Sequence, residues 1–225
     1  MTYNYINTSF YSADQWLSND GALFALKINN YQVVTIFWNI FLALLPFLFG
    51  YILLTFWRRT GLISWYQKLF GLILWFVWVL FLPNAAYVIS DVRHLLDYCP
   101  RDTQFRVCNE NAWMPVFFFA YGLIGWITFV YGLMQMKLFI ESCFNTFVSY
   151  LYLMAIIPLI ALGLLLGLVN RFNSWDFFLY PGQLWRTISA YWNEPQSFTN
   201  VVILSILLYI LYGIGYLSLK ERFRA

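Results

Sequence analysis

Long apolar stretches separated by short polar segments dominate the chain. Five of them stand out, at residues 33–57, 69–82, 113–136, 148–169 and 201–219. A helix needs about 20 apolar residues to cross about 30 Å of hydrocarbon, and four of the stretches meet or nearly meet that length. Their apolar runs are continuous, which excludes the alternating pattern of a barrel strand. The pattern predicts an all-α integral membrane bundle of about five transmembrane helices.

Composition points to the same class of protein. Charged residues make up 10% of the 225 residues and hydrophobic residues 62%, whereas soluble domains carry roughly 25% charged residues. A chain with so few charges cannot cover a water-facing surface, so we expect membrane lipids as its main partners. The net charge is only +3 and the sequence has no basic stripe, which excludes a nucleic-acid-binding protein.

The chain divides into three predicted parts. Residues 33–219 form a single membrane domain, residues 220–225 a short basic tail, and residues 1–32 an extramembrane N-terminal segment. Within that segment, residues 12–26 combine a capping-box pair with apolar side chains, which favours a short interfacial helix. A loosely ordered tail is an equally good interpretation.

Lysine and arginine in the connections predict the orientation. The basic residues of the side that holds the C-terminus lie in very short connections and in the tail, whereas those of the other side are diluted over long segments rich in acids. Dense positive charge is typical of cytoplasmic loops, so we predict the N-terminus outside and the C-terminus in the cytoplasm. The densely placed residues are Arg58, Arg59, Lys68, Lys137, Lys220, Arg222 and Arg224.

The second apolar stretch is too short to cross a membrane if it stops at Pro83. Lys68 can snorkel to the inner interface, and about 20 residues counted from it reach Val88. We therefore predict that the helix continues through Pro83 with a kink, because neighbouring helices can satisfy the freed carbonyl.

A polar stripe supports that continuation. Asn84, Tyr87, Asp91, His94 and Tyr98 are spaced three, four, three and four residues apart, which places them on one narrow stripe of a helix. The stripe begins inside the membrane and leaves it at the outer surface. Because membrane-buried polar residues are costly unless they face protein or water, we expect it to point into the bundle or into a cavity.

A second polar cluster follows the fourth apolar stretch on the same predicted side. Two polar clusters on one side of a small bundle should be neighbours, and together they offer carboxylates, an imidazole, a guanidinium and amides. Such a set suits a polar, lipid-linked or anionic ligand. The binding candidates from both clusters are Asn84, Tyr87, Asp91, His94, Asn170, Arg171, Asn173, Trp175 and Asp176.

Several of these residues also have a structural interpretation. Arg171 can grip an anion, or it can simply snorkel at the membrane edge. Asn173 and Asp176 can contact a ligand, but they also have N-cap and N3 spacing for a short helix before the next proline. Asn39, midway through the first stretch, can bond to another helix or can face the same cavity as the polar stripe, together with Trp38.

Metal and disulfide sites are open possibilities. Asp91 and His94, three residues apart, can both ligate a metal with one further carboxylate. One histidine is a thin ligand set, so an Asp–His hydrogen bond that pins the helix end is the favoured interpretation. Cys99 and Cys108 flank a predicted outer loop and can close it as a disulfide if the outside is oxidising.

Three motifs resemble a known family. The run over residues 82–87, followed by Asp91 and His94, is similar to the signature of a bacterial membrane family catalogued as domain of unknown function 1361. Residues 171–176 resemble its second signature and residues 38–46 its first membrane span. The resemblance covers the whole predicted membrane domain. It implies an uncharacterised multi-pass protein, with the bacterial cytoplasmic (inner) membrane as the expected location, and supplies no activity or cofactor.

Three classes of function remain open. The first is a membrane-embedded binding protein or enzyme with a polar site at the outer leaflet. The second is a small accessory subunit of a larger membrane complex, whose polar motifs serve helix packing. A small transporter is less favoured, because the chain has no internal repeat and its apolar stretches hold almost no ionisable residue. The sequence contains no nucleophile elbow, nucleotide loop or zinc-protease motif.

Overall fold

The fold is that of a computed structural model, which describes residues 27–28, 31–61, 63–92 and 112–219. The predicted interfacial helix over residues 12–26 and the basic tail over residues 220–225 lie outside the described residues. Just before the first long helix, two short strands pair antiparallel, β1 (Lys27–Ile28) with β2 (Tyr31–Gln32).

Five long helices within the described residues confirm the predicted all-α membrane bundle. Each is long enough and apolar enough to cross a membrane. The shortest of them have 25 residues, which is about 37 Å at 1.5 Å per residue and exceeds the thickness of the hydrocarbon core. The five are α1 (Val33–Thr60), α2 (Trp65–Ser90), α3 (Met114–Cys143), α4 (Thr146–Asn170) and α7 (Pro195–Leu219), and between the last two lie α5 (Asp176–Leu179) and α6 (Pro181–Asn193).

Contacts between glycines and neighbouring helices define the helix directions. Gly163 of α4 lies against Pro83 of α2, and Gly167 lies against Tyr87, so α2 and α4 run in the same direction. The very short connections from α1 to α2 and from α3 to α4 make these pairs antiparallel. α1 begins at the side of the bundle at which α2 and α4 finish. We call this side the mouth end. That the mouth end faces the outside remains a prediction.

Side-chain caps determine where α2 and α4 begin. The Ser64 side chain accepts a hydrogen bond from the Gln67 backbone N–H, and the Gln67 side chain accepts one from the Ser64 backbone N–H. At the start of α4, the Asn145 side chain accepts from the Val148 backbone N–H at 2.8 Å. Such caps satisfy N–H groups that have no partner within the helix. Both helices are thereby anchored at the end opposite the mouth.

The second helix continues through Pro83, as predicted. α2 contains Pro83 in its interior and has Asp91 as its C-cap residue. The polar stripe is therefore helical as far as Asp91. His94 and Tyr98, the last two residues of the predicted stripe, lie outside the described residues.

Small residues bring α2 and α3 close together. A Cβ atom at Gly125 would lie 2.7 Å from the backbone oxygen of Ala85, and one at Gly132 would lie 3.2 Å from Leu82 Cδ1. The facing side chains of Trp78 and Leu82 are fully buried. Lipid provides no hydrophobic force between helices, so close van der Waals packing of this kind is what stabilises the bundle.

Helix α6 was not predicted from the sequence, whereas α5 is the short helix predicted before Pro181. One face of α6 carries Leu184, Ile188 and Tyr191, which belong to an apolar cluster with α4 residues. Trp185 and Trp192, about a quarter turn around the helix from that face, are exposed. This helix is amphipathic and has only 13 residues, so a search for long apolar stretches passes over it.

Substituting Gly163 by alanine should destabilise the bundle. The new Cβ would lie 2.7 Å from Pro83 Cγ, a ring atom that cannot rotate away, so α2 and α4 would have to separate. Gly213→Ala is the matched control, since nothing lies within 4 Å of its Cβ position, and alanine is favoured over glycine in a helix by about 1 kcal/mol. We expect the thermal-unfolding midpoint in detergent to fall for Gly163→Ala only. Equal midpoints for the two variants would contradict the close packing.

Candidate functional site

Three long helices and the segment after α4 enclose a cavity at the mouth end. Its volume is about 380 Å³. α1, α2 and α4 each contribute to the wall, and side chains between residues 171 and 188 close the remaining side. The wall combines a polar part with a larger apolar part. Its side chains with polar atoms are Thr35, Trp38, Asn39, Asn84, Tyr87, Arg171, Asn173 and Ser174.

Ser174 ties the segment after α4 to the α2 turn that precedes Pro83. Its hydroxyl donates to the backbone oxygen of Leu80 at 2.7 Å and accepts from Asn84 Nδ2 at 2.8 Å. Asn84 Nδ2 also donates to the backbone oxygen of Phe81 at 2.9 Å. Pro83 has no backbone N–H and disturbs the helix around it. The carbonyl that loses its helical donor is that of Val79, and these side-chain donors reach the next two carbonyls of the same turn.

Arg171 lies at the end of α4 in a left-handed backbone conformation. Its φ is 60° and its ψ is 29°, and among the described residues no other non-glycine residue has a positive φ. Its Nη1 donates to the Tyr87 hydroxyl at 3.2 Å. Glycine is the usual residue at such a C-cap, because a side chain there costs about 1–2 kcal/mol. The chain thus carries a guanidinium at a position whose backbone would favour glycine.

Asp91 supports the cavity from behind its wall. Its carboxylate is fully buried, and its Oδ2 accepts a hydrogen bond from Asn39 Nδ2 at 3.3 Å. Asn39 lines the cavity, whereas Asp91 does not. In this structure Asp91 therefore orients Asn39 and does not face the cavity itself.

The predicted N-cap role of Asn173 is corrected by the structure. α5 begins at Asp176, and the N-cap residue is Trp175, whose side chain makes no cap hydrogen bond. The Asp176 Oδ2 accepts from the backbone N–H of Asn173 at 2.7 Å. The side chain that stabilises this turn is thus that of Asp176. The side chain of Asn173 lines the cavity.

The remaining predicted residues lie around the cavity or outside the described part of the chain. The Trp175 ring packs edge-on against Trp38, with ring centroids 6.3 Å apart. Asn170 accepts a hydrogen bond from the Tyr191 hydroxyl of α6.

Within the described residues, no group of three or more His, Cys, Asp or Glu side chains is placed to hold a metal ion. Outside the described residues lie the metal and disulfide candidates His94, Cys99 and Cys108.

The segment after α4 turns back into the bundle. Arg171 contacts α2 at Tyr87, whereas Phe177 packs against Phe76 with ring centroids 5.3 Å apart. These two α2 residues are eleven positions apart, which is about 16 Å along the helix. α6 then runs back to the end of α4, where the Tyr191 hydroxyl donates a hydrogen bond to Asn170, the last residue of α4. Residues 171–193 therefore form a re-entrant hairpin, a structure tolerated at membrane depth where it is buried in protein or lines a cavity.

Sequence reasoning reached the polar part of the wall and missed the part of its closing side that α6 provides. For Asn39 the interhelical hydrogen bond is present, to Asp91 of α2, and Asn39 also lines the cavity together with Trp38 and Asn84. Leu184 and Ile188 of α6 were missed. Their spacing of four residues, followed by another apolar position three residues later, is the amphipathic signal that could have revealed this helix.

Comparison with known protein families identifies one that covers most of the chain. A family model described as protein of unknown function (DUF1361) matches residues 38–211, which is more than half of the chain. The matched part includes every described residue of the cavity wall except Thr35. No curated protein and no solved structure matches the chain.

Asn84 and Ser174 should be energetically coupled. Asn84→Ala and Ser174→Ala each break their hydrogen bond, so the double variant should lose less stability than the sum of the two. Hydrogen bonds of this kind in membrane proteins contribute about 0.6–2 kcal/mol, and we expect a coupling free energy of that size from unfolding in SDS. Ser218→Ala is the control partner for Asn84→Ala, because Ser218 bonds only within its own helix. Additive effects of Asn84→Ala and Ser174→Ala would contradict the coupling.

Proposed function

Because the chain belongs to the DUF1361 family, whose function is unknown, we propose its function from the cavity alone. The protein is a membrane-embedded binding protein, and its cavity takes the polar, anionic part of a ligand in the outer leaflet. The outer leaflet follows from the predicted orientation, since Arg58, Arg59 and Lys68 concentrate positive charge at the end opposite the mouth.

The convergence of two distant polar segments carries this proposal. Asn84 and Tyr87 come from α2, whereas Arg171 and Asn173 come from the re-entrant hairpin, yet all four line one cavity. Tyr87 and Arg171 are bonded to each other across 84 positions of the chain. Polar residues inside a membrane are costly unless they serve packing or a site. An apolar pocket with a few convergent polar groups is the usual form of a ligand site.

The charge of the wall favours an anionic ligand. Arg171 is the one charged residue in the described wall, and it forms no ion pair within the described part of the chain. One N–H group of Arg171 donates a hydrogen bond to the Tyr87 hydroxyl, and a guanidinium has five such donors. The others suit a carboxylate or phosphate, which a guanidinium binds through paired hydrogen bonds.

Two asparagines add hydrogen-bond acceptors to the same wall. The amide nitrogen of Asn84 is engaged by Ser174 and Phe81, and that of Asn39 is engaged by Asp91. These bonds engage both N–H groups of Asn84 but only one of Asn39, so the side-chain oxygens of both asparagines and the second N–H of Asn39 can meet a ligand. The wall therefore suits an anionic group that also carries hydroxyl or amine donors.

Arg171→Gly tests the proposal by separating binding from folding. Glycine suits the left-handed backbone, so the unfolding midpoint should stay the same or rise. The guanidinium is lost, and a hydrogen bond to a charged group contributes about 1.5–3 kcal/mol. We therefore expect the affinity for dodecyl phosphate, used as a probe in phosphatidylcholine nanodiscs, to fall about tenfold or more.

Arg186→Ala is the control for charge. It removes the same charge from an exposed residue of α6 that does not line the cavity, and it should bind the probe as the unmodified protein does. Equal affinities of Arg171→Gly and Arg186→Ala would contradict the proposal. If Arg171→Gly also lowers the unfolding midpoint, the polar motifs serve helix packing, as in a subunit of a larger complex.

A further inference from the structure

Resting on the proposed binding function, we infer that the ligand is an anionic membrane amphiphile. Its head group lies at Arg171, and one apolar chain runs down the cavity as far as Leu159. The separation of polar and apolar residues along the cavity, its depth, and the exposure of its floor support this ligand class.

The polar and apolar parts of the wall lie at different depths. Polar side chains come from the first turns of α1, from the last turns of α2 and from the residues just after α4. Pro83 and Gly163, which are in contact, mark the lower limit of this region on α2 and α4. Below that contact, the described wall residues of these two helices are all apolar, namely Phe76, Val79, Leu80, Leu159 and Leu162. A small water-soluble anion would leave this lower half without a partner, whereas a hydrocarbon chain fills it.

The depth of the cavity matches one leaflet of a bilayer. Leu159 precedes Arg171 by twelve positions on α4, which corresponds to about 18 Å along a helix. Half of the hydrocarbon core of a bilayer is about 15 Å. With Arg171 at the membrane interface, Leu159 therefore lies near the midplane. The chain of a lipid from one leaflet has the right length to reach it.

The floor of the cavity is open to the side. Leu159 is 49% exposed and Phe177 is 39% exposed, although both line the cavity. Phe178 follows Phe177 in the chain, is 60% exposed without lining the cavity, and packs against the same α2 phenylalanine as Phe177. The exposed Phe178 ring faces lipid at this depth, so the cavity floor beside it borders the hydrocarbon phase. An amphiphile can enter from the bilayer without leaving it.

Filling the floor of the cavity tests this inference. Leu159→Trp adds a large ring at the end of the proposed chain site, and Leu162→Phe is a second, smaller filling variant. Leu151→Trp is the matched control, because Leu151 is 47% exposed on the same helix and does not line the cavity. Affinity is measured from the shift of the unfolding midpoint with the mole fraction of dodecyl phosphate in phosphatidylcholine nanodiscs. We expect Leu159→Trp to weaken binding at least tenfold and Leu151→Trp to leave it unchanged.

Three further probes identify which part of the amphiphile is recognised. Inorganic phosphate and butyl phosphate should shift the midpoint at least tenfold less effectively than dodecyl phosphate, and dodecyltrimethylammonium should not shift it. Equal binding by Leu159→Trp and Leu151→Trp, or equal effects of inorganic and dodecyl phosphate, would overturn the inference while leaving an Arg171-dependent anion site intact. Binding of dodecyltrimethylammonium as tight as that of dodecyl phosphate would overturn the anionic head group. If Arg171→Gly also binds normally, the proposed function fails as well.

Discussion

A backbone that leaves its helix inside a membrane must find hydrogen-bond partners within the protein, and the segment after α4 finds them close by: the Phe172 N–H donates to the Leu166 oxygen and the Asn173 N–H to Asp176 Oδ2. The chain leaves α4 at Arg171 and turns down beside α2. The Ser174 hydroxyl then links Asn84 to the backbone oxygen of Leu80. The segment after α4 thus bonds to the turn of α2 in which Pro83 leaves the Val79 carbonyl without its helical donor.

The cavity follows from that junction. Gly163 permits α4 to lie directly against the Pro83 ring, while Phe177 holds the bottom of the re-entrant hairpin against Phe76. The hairpin is therefore fixed at its top and at its bottom, with apolar space between it and the long helices. At the top, the left-handed backbone of Arg171 places the guanidinium beside Tyr87. A positive charge thus stands at the mouth of a space whose lower half is apolar.

Much of this arrangement could be predicted from the sequence. Continuous apolar runs define the five membrane helices, and the shortness of the second run requires that α2 continue through Pro83. Helical spacing places Asn84, Tyr87 and Asp91 on one stripe, but it does not distinguish a side chain that faces a cavity from one that bonds to a neighbouring helix. Asp91 is of the second kind, because Asn39 lies beside it. The role of Ser174 and the position of α6 depend on where the chain turns back, which only tertiary contacts determine.

A structure of the unmodified protein determined in lipid nanodiscs is the most direct test of whether the cavity holds a membrane amphiphile. We expect elongated non-protein density that begins beside Arg171 and Tyr87, passes between Pro83 and the hairpin, and ends near Leu159. Side chains of the hairpin packed directly against α2 and α4, with no space between Asn84 and Leu159, would contradict the binding function and would leave the polar motifs a role in helix packing alone.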